Sequence, residues 1–122
     1  MKKKILVVDD DESILDALSL ILEEEGYTVQ STIKGTEIYN KIKSFKPDLI
    51  LLDVLISGSD GRQICKNLKH LDATRKIPII MISAHPTANQ GAYDCGADDY
   101  LPKPFDTKEL LQTIQKYSFI SK

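Results

Sequence analysis

The sequence predicts an α/β fold: a doubly wound, five-stranded parallel sheet with five helices. Three observations carry this. Ile5–Val8, Leu49–Leu52 and Ile79–Ile82 are unbroken apolar runs bounded by polar residues, the pattern of strands buried on both faces of a parallel sheet. Between them the apolar period changes from two to about 3.6, as βαβ units require. At 122 residues, with 42% hydrophobic and 28% charged residues, the chain is one ordinary globular domain (1–122) with a single core.

Each element follows in order. After the first strand, Ile14, Leu15, Leu18, Ile21 and Leu22 form a helical stripe that stops at Gly26. Tyr27, Val29 and Ser31 alternate with the polar Thr28, Gln30 and Thr32, which reads as a sheet edge. Ile38, Tyr39 and Ile42 make the second helical stripe, and Ile64, Cys65, Leu68 and Leu71 the third, on either side of the Leu49–Leu52 strand. A helix from Thr87 to Cys95 is expected to be weakly held, because Gly91 costs about 1 kcal/mol relative to Ala. Tyr100 and Leu101 run into Pro102, which cannot donate to a ladder, so they form the other edge. Asp106 and Glu109 have capping-box spacing ahead of Leu110, Leu111 and Ile114. Right-handed crossovers place ligand sites beyond the carboxyl ends of the strands, where the strand order reverses.

Several function classes are excluded. The longest aliphatic runs have four residues, where a spanning helix needs about 18. The Met-Lys-Lys-Lys start is followed by too short an apolar run for a signal peptide, so a cytoplasmic protein is expected. Cys65 and Cys95 have no CxxC partner and read as small core residues in a reducing compartment. With 16 Lys+Arg against 18 Asp+Glu the net charge is −2, and no basic block follows the first four residues, which argues against direct nucleic-acid binding.

What remains is the carboxyl edge. Asp9, Asp10 and Asp11 follow the first strand, Asp53 the third, Ser83 the fourth, and Lys103 the last. Asp11 and Asp60 are read as helix caps or turn residues. Asp9, Asp10 and Asp53 are expected within a few ångströms of one another, and like charges that close demand a counter-ion. Few, all-oxygen ligands suit Mg²⁺. Lys103 adds an ammonium and Ser83 a hydroxyl, completing the parts of phosphoryl transfer: an oxygen nucleophile, a divalent cation and preorganised donors. The product would be an aspartyl phosphate.

The motifs Ile-Leu-Val-Val-Asp-Asp at 5–10, Leu-Leu-Asp at 51–53, Ile-Ser-Ala at 82–84 and Gly-Ala-Asp-Asp-Tyr-Leu-Pro-Lys-Pro-Phe at 96–105 resemble the receiver domain of two-component response regulators. The resemblance covers essentially the whole chain and implies a flavodoxin-like fold with strand order 2-1-3-4-5. It implies that Asp53 accepts a phosphoryl group from a histidine kinase or a histidine phosphotransfer protein. Asp9, Asp10, Asp53 and the Leu55 carbonyl would hold Mg²⁺, with Asp10 a direct ligand and Asp9 acting through water. Ser83 and Lys103 would bind phosphoryl oxygens, Tyr100 would be the switch aromatic, and the Lys103–Pro104 bond would be cis. The face formed by residues 86–117 would then control a downstream protein, the chain itself carrying no output module.

Where the family commonly shows Met-Pro-Gly, this chain has Ile56-Ser57-Gly58, a loop without proline's restriction. His85 stands where it could tune the lifetime of the acyl phosphate, or have no role. Two other readings stay open. The Asp9-Asp10-Asp11 run also contains a DxD resembling that of haloacid-dehalogenase-like phosphatases, with Asp9 as nucleophile and Ser83, Asp98 and Asp99 imitating later motifs. A pseudo-receiver would keep the fold and work as an unphosphorylated interaction module.

Overall fold

A computed structural model describes residues 3–56, 59–83 and 95–118. Its elements run β1 (Lys4–Val8), α1 (Glu12–Glu24), β2 (Thr28–Thr32), a 3₁₀ turn (Gly35–Glu37), α2 (Ile38–Phe45), β3 (Leu49–Asp53), β4 (Leu55–Ile56), β5 (Ser59–Asp60), α3 (Gly61–His70), β6 (Ile79–Ser83), β7 (Asp99–Pro102) and α4 (Thr107–Ser118). Five strands form one parallel sheet in the order β2-β1-β3-β6-β7. With the two-residue ribbon β4–β5 left out of the numbering, this is the expected 2-1-3-4-5 order, with the two weakly patterned strands at the edges. The helix expected over Thr87–Cys95 lies, apart from Cys95, outside the described residues, as does His85.

All five residues of β3 and of β6 are buried, which is why their sequences read as continuous apolar runs. Strand alternation divides the core in two. Leu6, Val8, Ile50, Leu52, Ile79 and Met81 pack on one face with the stripes of α2 and α3. Ile5, Val7, Leu49, Leu51, Ile80 and Ile82 pack on the other with Leu15, Leu18 and Leu22 of α1 and Leu110 and Ile114 of α4.

The helix ends obey local chemistry. The Asp11 carboxylate accepts from the Ser13 and Ile14 amides and so caps α1, which closes at Gly26 with φ 97°. Asp60 caps α3 through the Arg62 amide. Asp106 and Glu109 bond each other's backbone amides reciprocally at the start of α4. Three details depart from the sequence expectation. Helix α3 ends at His70, leaving Leu71 47% exposed instead of in the core stripe. Tyr39 lies at the surface beside the buried Ile38 and Ile42, and Phe45 completes that stripe. The ribbon pairing Leu55 with Asp60 and Ile56 with Ser59 carries too few residues to leave a periodic signal.

Candidate metal and phosphoryl site

The strand order reverses between β1 and β3, so the residues after both strands meet at one crevice. Val8 pairs with Leu52, which sets Asp9 and Asp53 side by side at the carboxyl edge. Asp9 is 1% exposed and Asp53 7% exposed, while Asp10 faces solvent. One carboxylate oxygen from each of Asp9, Asp10 and Asp53 lies within 4.8 Å of the others.

Lys103 enters from the far edge of the sheet. Its amide donates to the Ser83 carbonyl at 2.8 Å, and the Lys103–Pro104 bond is cis. From there Nζ reaches Asp9 Oδ2 at 2.9 Å and Asp53 Oδ2 at 3.5 Å. Burial works against the charged ammonium, but the hydrogen bond to Asp9 and the negative charges of Asp53 and Asp9 outweigh it, holding the lysine above its ordinary pKa. Asp9 Oδ1 also accepts the Asp11 amide at 3.0 Å, so both oxygens of this buried carboxylate are engaged.

Ser83 closes β6 and is 2% exposed, one position beyond the Asp53–Ile82 register pair. Half-buried Tyr100, on β7, donates its hydroxyl to the Ser83 carbonyl at 3.4 Å, tying the expected switch residue to the strand end that carries the hydroxyl. Leu55 sits in the ribbon just after Asp53.

The structure therefore brings together Asp9, Asp10, Asp53 and Lys103, with Ser83 and Tyr100 on the neighbouring strands. The donor set of clustered, hard carboxylate oxygens fits Mg²⁺. Asp98 and Asp99 are elsewhere. Asp98 accepts the amide of Ile79 at the amino end of β6 and pairs with Lys69, while Asp99 is bonded by Tyr117. They cannot join Asp9 in a phosphatase-like constellation.

Sequence reasoning missed Gly61. A Cβ at this position would collide with the Asp53 carbonyl oxygen and stand 3.0 Å from the Asp53 carbonyl carbon and Val54 Cα. Its amide donates to the Val54 carbonyl at 2.7 Å, so the bare backbone of α3's first residue props the strand end that carries Asp53. The Asp60-Gly61 pair signals a turn, but nothing local in it signals contact with Asp53.

Comparison with known proteins agrees with this geometry. The family model described as the response regulator receiver domain matches residues 5–115. The chain is 39% identical over 115 residues to the "DNA-binding dual master transcriptional regulator RpaA" of Synechocystis, covering 92% of this chain and 47% of that protein. It thus spans about half the length of that relative. A Chloroflexus aurantiacus protein described as a response regulator is 32% identical with a TM-score of 0.92, covering 98% of this chain and 99% of its own. Chemotaxis protein CheY4 of Vibrio cholerae is 30% identical with a TM-score of 0.88, covering 96% and 99%. The chain belongs to the receiver-domain family of two-component response regulators.

Proposed function

We propose that this chain is a phosphorylation switch whose acceptor is Asp53. The observation that carries the reading is the convergence of the Asp9, Asp10 and Asp53 carboxylates with the Lys103 ammonium at the reversal of strand order. An Asp53 carboxylate oxygen attacks the phosphorus of a phosphohistidine on a sensor kinase or phosphotransfer protein. The O–P bond forms as the P–N bond breaks, and the imidazole leaves with a proton from solvent. Asp9, Asp10, Asp53 and the Leu55 carbonyl are the groups that would hold Mg²⁺, which when bound neutralises phosphoryl oxygen charge. The Lys103 ammonium supports another phosphoryl oxygen, and the Ser83 hydroxyl donates to a third.

The signal then leaves through Ser83 and Tyr100. Drawing the serine hydroxyl toward the new dianion vacates space that Tyr100 fills, which alters the surface of β7 and α4, the described part of the expected 86–117 face, for a downstream protein. Turning a 1:99 equilibrium into 99:1 takes about 5.5 kcal/mol, within reach of a few charge-assisted hydrogen bonds of about 1.5–3 kcal/mol each. The chain modifies only itself and is not a turnover enzyme on other substrates. Among the described residues no helix is long and apolar enough to cross a membrane.

Acetyl phosphate with Mg²⁺, followed by borohydride trapping and intact-mass analysis, tests the reading. The acyl phosphate is expected at Asp53 alone, read as conversion of that residue to homoserine by the borohydride, absent in Asp53→Ala and prevented by chelation. Label retained in Asp53→Ala refutes it. A protein that binds no Mg²⁺ in titration would instead be an unphosphorylated module.

A further inference from the structure

At the end of the sheet opposite the aspartates, a cavity of about 470 Å³ opens between the carboxyl end of α2 and the turn following α3. Its walls are Ile42, Pro47, Leu71 and Ile77, and two lysines, Lys43 and Lys46, stand on its rim. The volume falls within the range of small-molecule sites.

The cavity is preformed. Its outer wall is stapled by bonds from Thr74 Oγ1 to the Leu68 carbonyl (2.6 Å), from the Arg75 amide to the Leu71 carbonyl (2.8 Å) and from Lys69 Nζ to the Ile77 carbonyl (2.8 Å). The inner wall is fixed where Lys46 ends α2 with φ 54° and its amide bonded to the Ile42 carbonyl at 2.9 Å. That left-handed conformation favours glycine, so the lysine is held there against its backbone preference. Tyr39 and Leu71, two of the four exposed large hydrophobics among the described residues, line the same cavity.

Charge selects the occupant. Among the described residues neither Lys43 nor Lys46 has a carboxylate within ion-pairing distance. The nearby acids are engaged elsewhere: Asp48 accepts the Lys4 amide, and Asp72 pairs with Arg75. A half-open apolar cavity beside these two lysines calls for one apolar body with one anionic head. We propose that this cavity binds a small amphiphilic anion, an alkyl or aryl chain ending in a carboxylate. The chain fills the space between α2 and the 71–77 turn, and the carboxylate pairs with Lys43 and Lys46. The site is independent of the phosphoryl chemistry and uses none of its residues.

Amide chemical shifts of the whole chain, titrated with decanoate below its micelle concentration, test the proposal. Saturable shifts are expected at residues 39–47 and 71–77, unchanged in Asp53→Ala. The Lys43→Glu/Lys46→Glu pair should weaken binding at least tenfold. Ala73→Trp, which fills the cavity from an exposed position, should abolish it. Decylamine should bind at least tenfold more weakly than decanoate. The proposal is overturned if decanoate gives no saturable shifts, if the shifts map elsewhere, or if the double lysine variant or decylamine binds as well.

Discussion

Replacing Lys103 by Met removes the ammonium that reaches both buried carboxylates without removing much volume. Nζ lies 2.9 Å from Asp9 and 3.5 Å from Asp53, and at an effective dielectric of about 20 each contact is worth about 5 kcal/mol before desolvation. Desolvation of the ions consumes several kcal/mol apiece, and deleting one member of a buried pair typically costs about 3–5 kcal/mol. Asp9 keeps its bond from the Asp11 amide, and Asp10 opens the crevice to solvent, so the low end applies: about 3 kcal/mol. Urea unfolding followed by circular dichroism in EDTA measures it. Magnesium should reverse part of the loss, because ammonium and dication compete for the same negative field. If the variant binds Mg²⁺ about tenfold more tightly, a concentration that stabilises the parent by about 2.7 kcal/mol stabilises the variant by about 4.1, closing the gap to about 1.6. A deficit that stays constant or widens with Mg²⁺ refutes this reasoning, as does a variant as stable as the parent in EDTA. Proton linkage gives an independent check. Lys103 is held above its ordinary 10.5, so its contribution is complete below that pH and fades as pH rises through the higher folded value. The variant should lack that alkaline loss.

Three further outcomes are expected. Gly61→Ala drives a methyl group into the Asp53 carbonyl, and should cost at least about 2 kcal/mol by urea unfolding and slow acetyl-phosphate labelling of Asp53; normal labelling and stability would show that the strand end is not propped there. Asp60→Ala should cost about 1 kcal/mol as a lost helix cap. The Arg62 side chain holds the Asp60 carboxyl below its ordinary 3.8, so this deficit is present above that pH and vanishes as pH falls through the lower folded value, which unfolding across an acid series measures. Lys69→Met leaves Asp98 and the Ile77 carbonyl without the ammonium they share, at 2.7 and 2.8 Å, and should cost about 1–2 kcal/mol by the same measurement, whereas Lys66→Met, on the exposed side of α3, should cost little.

Much of the architecture was legible because its causes are local. Four-residue apolar runs mark central strands whatever lies beside them, and Asp11, Asp60 and the Asp106/Glu109 pair cap helices through bonds spanning two or three residues. Where a cause is not local, the reading failed or stopped. Leu71 keeps the helical spacing of a core residue, yet α3 ends one residue earlier and the turn points it outward. Cys65 and Cys95, thirty positions apart, both lie in the core as small free thiols. Their mutual contact, with the Cys65 Sγ 3.8 Å from the Cys95 carbonyl, comes from packing α3 against the segment before β7. Burial, together with a hydrogen bond to Cys95, pushes the Cys65 thiol up, so it stays protonated.

The sequence by itself determined the alternation of the five sheet strands with helices, most of their buried faces and the rule that Asp9, Asp10, Asp53, Ser83 and Lys103 all stand at or just past strand ends, since periodicity and capping are properties of neighbouring residues. Tertiary structure alone decided that the ammonium of a lysine 94 positions away closes on Asp9, that Gly61 abuts Asp53, and that two lysines and an apolar cavity share the opposite end. These are contacts between distant segments, and their distances are set by how strands pair and helices pack, which no local stretch of chain encodes.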